Sequence, residues 1–402
     1  MDDARPRLPT VVLRRREERR LHRGHLWVYS NEIDTDRTPL KEFTPGEPVT
    51  VLASGGRPLG SGYLNPHALI CVRLVSHRPD VALDRRLLGA RLDAALTLRE
   101  TLYDRPHYRL VHGEGDGLPG LVVDRYGDVL VAQIGTAGIE RLRQDVVDVL
   151  VERLAPRAIL LRNDGPLRAQ EGLEGYVETA HGTLPETLAI EEGGLRFEVP
   201  AREGQKTGWF FDQRPNRDRL ARYVQGGRVL DLFSYVGAWG LRAAAAGARE
   251  VLCVDGSAPA LERLAANAAA NGLAERVTAR RGDAFEVLRA LREAGERFDA
   301  VVVDPPALVK KRKDLKAGGE AYRRINRRAL QVLAPGGFLF SSSCSFHFSR
   351  DDLRGAVERA ARQVDVDLQL LEQGHAGPDH PVHPAIPETD YLKCLVLRRR
   401  PA

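Results

Sequence analysis

Cysteine is scarce in this 402-residue chain, and Cys71, Cys253, Cys344 and Cys394 stand far apart. No two of them form a Cys-x-x-Cys pair, so structural zinc is not expected, and their spacing suggests no disulfide framework. A reducing cytoplasm is therefore the expected location. No run of eighteen apolar residues exists, so neither a transmembrane helix nor a membrane partner is expected. The opening Met-Asp-Asp-Ala-Arg-Pro-Arg lacks an apolar stretch of the signal-peptide kind. Also missing is the three-glycine pattern Gly-x-Gly-x-x-Gly. Only Gly237 and Gly240 stand where it would fall, which disfavours a pyrophosphate-bearing dinucleotide.

What is present is enough apolar residue for packed cores, 43% of the chain, over a length that suggests two or three domains. Residues 1–76 read as a small β-rich unit, with strands expected at Thr10–Leu13, Val49–Leu52, 59–64 and 68–75. Residues 80–185 read as α+β. Leucines at 87, 88, 92, 96 and 98 predict a helix over 84–102, and a hairpin should turn at Tyr126-Gly127-Asp128. A second helix is expected over 139–154. Glu114, Asp116 and Asp124 sit among glycines, which points to turn chemistry rather than a metal cluster. From 190 to 402 strands alternate with helices. The apolar strands lack the alternation of a one-faced sheet, as expected of a doubly wound α/β fold with helices on both faces.

In such a sheet, ligands sit at the carboxyl ends of the strands. Acids recur there: Asp231, Asp255, Asp283 and Asp304. Asp231 leads into Leu-Phe-Ser-Tyr-Val-Gly237, whose glycine lets a ligand's carboxylate approach a helix N-terminus. Asp255 follows at the spacing of a ribose-binding acid, so a carboxylate-bearing nucleoside fits best. Asp304-Pro305-Pro306 makes a rigid polar rim after a buried strand, and Ser343-Cys344-Ser345 ends a later one. Charge is clustered too. The net charge is only +5, yet arginines 5, 7, 14, 15, 16, 19, 20 and 23 crowd the start. Lys310, Lys311, Arg312, Lys313 and Lys316 follow the Asp-Pro-Pro rim, on an expected loop over 310–316. Such clusters suit a phosphate backbone. Trp27 and Tyr29 lie among basic residues and could either stack on bases or fill a small core.

These segments resemble the class I S-adenosylmethionine-dependent methyltransferases. Within them the chain is similar to the large-subunit (23S) ribosomal RNA methyltransferases that carry an N-terminal PUA domain, a cytosine-5 family. The resemblance rests on Arg23-Gly-His-Leu-Trp-Val-Tyr29, on Gly204-Gln-Lys-Thr-Gly-Trp-Phe-Phe-Asp-Gln-Arg-Pro-Asn-Arg217, and on Asp231-Leu-Phe-Ser-Tyr-Val-Gly237. Val254-Asp255, Gly282-Asp283, Asp304-Pro-Pro, Ser343-Cys-Ser and Pro387-Glu-Thr-Asp-Tyr-Leu-Lys393 complete it. It implies S-adenosylmethionine as cofactor, with Asp231, Phe233, Ser234 and Gly237 lining the methionine half. Asp255 would hold the ribose hydroxyls, Asp283 would lie near the adenine amino group, and Phe211 and Asp212 would cover the cofactor. Ser234 and Tyr235 stand where relatives have glycines.

The resemblance also implies that Cys344 is a nucleophile. Its thiolate would add to carbon 6 of cytosine and make carbon 5 able to take a methyl group. Basic neighbours would favour the thiolate, and Asp304 is the candidate base. Arg23, His25, Trp27, Lys310, Lys311, Arg312 and Lys313 would contact RNA, as free 23S RNA or as a large-subunit assembly intermediate. Many RNA cytosine-5 enzymes carry a second cysteine where this chain has Pro305-Pro306. The pattern therefore leaves open methylation of an exocyclic amine or a guanine on the same fold, with Cys344 inert. It leaves open a non-catalytic RNA-binding protein, and the oligomeric state, a homodimer included. Cys71, Cys253 and Cys394 lie in apolar strands and read as core.

Overall fold

The computed structural model describes residues 7–204 and 207–401. Arg5, and Gln205 and Lys206 of the family-like segment, lie outside them. The chain divides into two compact units. The first comprises 1–188 together with 200–209 and 378–389, so two later segments pack with the N-terminal half.

This first unit holds two sheets. In one, Thr10–Val12, Glu47–Leu52, Pro58–Leu64, Ile70–Ser76 and Trp27–Tyr29 lie side by side in that order. Val11, Val28, Val49, Val51, Val72 and Leu74 fill its core, and Ile386 returns to close it. In the other, the spatial order is Tyr176–Gly182, Ala158–Asn163, Val129–Ile134, Leu121–Tyr126 and His107–His112. The expected hairpin is there, with Tyr126 facing Val129 across Gly127-Asp128. Arg85–Leu102 packs Leu88 and Leu92 onto this sheet, and its N-terminus is capped by Asp84, which accepts from the Leu87 N–H at 2.8 Å. The helix expected over 139–154 is two, Ala137–Arg141 and Arg143–Leu154, because Leu142 leaves helical geometry (φ −98°, ψ 13°). Tyr63 of the first sheet donates to the Pro119 carbonyl at 2.6 Å, bringing the two cores together. A ribbon of Thr187–Glu192 and Leu195–Pro200, whose residues 189–199 belong to the second unit, turns at Gly193-Gly194, both left-handed, where glycine costs least.

The second unit is built on seven strands: β1 Arg228–Leu232, β2 Glu250–Asp255, β3 Val277–Arg281, β4 Phe298–Val303, β5 Leu333–Ser343, β6 Leu368–Gly374 and β7 Lys393–Arg399. Their order is β3-β2-β1-β4-β5-β7-β6. The strands β1 to β5 are parallel, and β7 runs antiparallel to both β5 and β6. The order reverses between β1 and β4, which opens a crevice at their carboxyl ends. Five helices connect the strands: α1 Ala238–Ala245, α2 Ala258–Ala270, α3 Ala284–Glu293, α4 Leu315–Val332 and α5 Arg350–Arg362. Ala284, Val287, Leu288 and Leu291 repeat at helical spacing and bury one face of α3 against Leu230, Val301 and their neighbours. Each such large aliphatic side chain contributes about 1.5–3 kcal/mol by leaving water.

Helix α4 begins at Leu315, so Lys316 is helical rather than part of the loop expected over 310–316. Within this helix Gly318 serves a close approach. A Cβ there would lie 2.4 Å from Val309 Cγ2 and 2.6 Å from the Leu308 carbonyl. Likewise Pro335-Gly-Gly337 does not end a turn before β5 but lies within it, with Gly336 left-handed (φ 80°).

Candidate active site

Asp231 is fully buried in β1. Its Oδ2 accepts the Gly240 backbone N–H at 2.9 Å, and the Cys253 Sγ lies 3.9 Å away. Only glycine fits at 240, since a Cβ would lie 2.3 Å from that sulfur. Asp231 Oδ1 has no hydrogen-bond partner. Burial drives this carboxyl well above the usual range, opposed by the Gly240 bond.

The loop after β1 takes a glycine-like path without the glycines. Phe233 (φ 62°), Tyr235 (φ 49°) and Gly237 (φ 91°) are all left-handed. For the two aromatic residues this costs on the order of 1–3 kcal/mol each, so something must hold them. The Ser234 N–H donates to the Val254 carbonyl at 3.0 Å, and the Tyr235 N–H to Asp255 Oδ2 at 2.9 Å. The Ser234 hydroxyl is buried with no partner. Asp255 Oδ1 accepts the Ser257 N–H at 2.8 Å, and each of its oxygens keeps a lone pair for a diol. Asp283 is exposed and caps α3 through Oδ1, accepting from the Phe285 and Glu286 N–H groups.

Phe211 and Asp212 open a 3-10 turn and are both buried. The Arg214 guanidinium covers the Phe211 ring, and Asp212 Oδ2 accepts from the Tyr391 hydroxyl at 2.7 Å. The Phe210 ring meets that of Tyr235, edge to face at 5.9 Å.

Asp304 lies one residue past β4, half-buried. It accepts from Gln213 Nε2 at 2.9 Å and from Trp239 Nε1 at 3.0 Å. Burial lifts its pKa to about 6, against the pull of the Trp239 bond. Cys344 follows β5, and it is the half-buried cysteine of the four. Cys71, Cys253 and Cys394 are buried, and burial pushes the Cys71 and Cys394 thiols up to about 12. The serines on either side of Cys344 are fixed. The Ser343 hydroxyl donates to the Tyr322 hydroxyl at 2.9 Å, which also lies 3.0 Å from Ser345 Oγ. Lys393 Nζ donates to the Ser345 carbonyl at 2.7 Å and to that of Tyr391 at 2.8 Å. Burial lowers this ammonium to about 8, while Asp390 and Cys344 favour its charge.

The RNA-facing expectations divide. Arg23 and residues 310–313 are exposed. His25 is buried, its Nδ1 accepting the Trp27 N–H at 3.0 Å. Trp27 is half-buried. It donates to Glu114 Oε1 at 2.8 Å and carries the Arg73 guanidinium over its ring at 5.4 Å. Sequence reasoning missed Gln213, Trp239, Tyr322 and Lys393. Gln213 and Lys393 lie inside the family-like segments, whereas nothing in the sequence marked Trp239 or Tyr322.

The sequence matches the family described as S-adenosylmethionine-dependent methyltransferase over residues 168–398 and a PUA-like domain over 11–77. It is 39% identical over 393 residues to ribosomal RNA large subunit methyltransferase I of Shewanella denitrificans, covering 96% of this chain and 98% of that one. It is 37% identical over 396 residues to the protein of that name from Aeromonas salmonicida, covering 97% and 99%. Among solved structures, a SAM-dependent methyltransferase from Streptococcus mutans has a TM-score of 0.82 at 20% identity, covering 97% of this chain and all of that one. A methyltransferase solved with SAH has a TM-score of 0.84 at 20% identity, with the same coverage. At that identity the two structures support the fold.

Proposed function

The chain belongs to the S-adenosylmethionine-dependent large-subunit ribosomal RNA methyltransferase family, and we propose that it methylates carbon 5 of a cytosine in 23S RNA through a covalent Cys344 adduct. The observation that carries this reading is the setting of Cys344. Its sulfur is held at the carboxyl edge of the sheet between two pinned serines, while the other three thiols are packed away.

The residues present fit the cofactor. The partnerless Asp231 Oδ1 and Ser234 Oγ need hydrogen-bond partners, which an amino-acid ammonium and carboxylate supply. Asp255 would hold the ribose hydroxyls, Asp283 would lie near the adenine amino group, and Phe211, Asp212, Phe233 and Gly237 would complete the cofactor site. When bound, the cofactor supplies an electrophilic methyl group. The base must first leave its stack. Cys344, having lost its proton to solvent, adds through sulfur to carbon 6, and the electron pair of the 5,6 double bond becomes available at carbon 5. Lys393 favours the thiolate by its charge and, with Tyr322, fixes the backbone that aims it. After carbon 5 has taken the methyl group, Asp304 removes the proton from that carbon. The double bond re-forms as the sulfur leaves. Arg23 and Lys310, Lys311, Arg312 and Lys313 bind flanking phosphates. His25 supports Trp27 from within.

One observation favours a second reading. Asp304, shielded and followed by two prolines, is also placed to hold an exocyclic amine, a chemistry that needs no thiol. Cys344→Ala separates the two. Under the cytosine-5 reading it loses all detectable methyl transfer and keeps cofactor affinity, and 5-fluorocytosine RNA traps the wild-type protein covalently. Full activity in the variant would sink this reading. Mass spectrometry of 23S RNA from a deletion strain should show one 5-methylcytosine missing.

A further inference from the structure

Within the first unit, a cavity of about 540 Å³ opens beside the second sheet. That is the size of an ordinary small-ligand site. Its walls are largely apolar, with Val122, Ile134, Pro166 and Leu167 among them; of its charged residues, Glu114 is paired with Arg73 and Arg168 with Glu140, which leaves Arg162 and Asp164. Arg162 is only 6% exposed, yet its Nε and Nη1 have no hydrogen-bond partner. Its Nη2 lies 3.5 Å from Asp164 Oδ2. A buried guanidinium with idle N–H groups is costly, because its lost hydration is not offset by hydrogen bonds. Nothing in the chemistry described above uses it.

We propose that this cavity receives an unpaired guanine of the RNA substrate, so that the domain following the PUA-like sheet reads sequence as well as shape. The inference rests on the RNA reading given above. The occupant must be flat, to lie among aliphatic walls. It must offer acceptors to Arg162 and a donor to the adjacent Asp164 carboxylate. Guanine presents its O6 and N7 acceptors to a guanidinium, with arginine their commonest reader, and its N1–H donor lies beside O6, within reach of the neighbouring carboxylate. Adenine turns an amino group toward the same place. A phosphate would meet the aspartate's repulsion.

The test uses the full chain with 5′-GMP and 5′-AMP, titrated to millimolar levels by ligand-observed NMR, and an RNA substrate in methyl-transfer assays. GMP should bind at least about tenfold better than AMP, the size of one good arginine–guanine contact. Arg162→Gln should erase the preference. Because that change touches a buried group, Gly165→Leu serves as a second variant. Gly165 lines the cavity with ordinary extended geometry (φ −74°, ψ 152°), and a Cβ there meets nothing within 4 Å. It should block GMP and raise the KM for RNA by about tenfold, with kcat and cofactor affinity unchanged. Equal binding of the two nucleotides, no binding of either, or an unchanged KM in Gly165→Leu overturns the proposal. Failure of the wild type to methylate large-subunit RNA would instead overturn the functional reading, whatever the nucleotides do.

Discussion

The acids of the two units live under different rules. In the first, each of the three acids that sequence alone grouped together is matched to an arginine. Asp124 takes Arg109 through both oxygens at 2.8 Å, Asp116 takes Arg99 likewise, and Glu114 takes Arg73 at 2.7 Å. Asp116 also accepts the His112 N–H, which is the expected turn chemistry. At the carboxyl edge of the second unit's sheet, the described donors to Asp231, Asp255 and Asp304 are neutral: N–H groups and, at Asp231, the Cys253 thiol. A charge matched by a guanidinium is already satisfied and holds the fold. A carboxylate held by neutral dipoles keeps capacity for a ligand, and at Asp231 and Asp304 burial also lifts the pKa.

Asp304 is where this contrast is most exposed to failure. With a pKa of about 6 it is ionised above that value and neutral below it. A base works only when ionised. The acid limb of single-turnover methyl transfer should therefore fall about tenfold per unit below pH 6, with the Asp304 contribution complete by about pH 7. Asp304→Asn should slow the reaction by roughly 10²–10⁴-fold, the usual worth of a positioned base, and abolish that acid limb. A variant whose rate matches wild type across the profile would show that Asp304 only braces Gln213 and Trp239.

The doubly wound sheet was legible because parallel strands buried on both faces read as apolar runs, and because Asp231, Asp255 and Asp304 each stand at a strand end. What supports the acids was not legible. Trp239 reaches Asp304 from helix α1, and Tyr322 reaches Ser343 from α4. These are contacts across 65 and 21 residues that no local spacing encodes. The path of the loop after β1 was not legible either, since Phe233 and Tyr235 hold left-handed positions that only glycine would have advertised. Among the described residues no helix is long and apolar enough to cross a membrane, in line with the absence of long apolar runs.

Two smaller effects sharpen the contrast from either side. Asp124→Ala leaves Arg109 without its partner in a site where the acid is fully buried and the guanidinium nearly so. Breaking such a pair costs about 3 kcal/mol, the lower end of the usual range because some water reaches Arg109. Denaturant unfolding should register that loss, while methyl transfer by the folded fraction stays at wild-type rate. A rate defect without a stability defect would move Asp124 into the functional class. Asp255→Ala should do the converse. It removes an acceptor for the ribose hydroxyls, so cofactor binding weakens by about 1–3 kcal/mol, as expected for a hydrogen bond to a charged group. Because the Tyr235 N–H also leans on Asp255, part of that loss could come from the left-handed loop relaxing. Asp255→Asn separates the two contributions: its side-chain oxygen can still accept the Tyr235 N–H, but its amide group no longer serves both hydroxyls. Calorimetry that finds the asparagine variant as weak as the alanine one assigns the effect to ribose recognition, and wild-type affinity in both would place the ribose elsewhere.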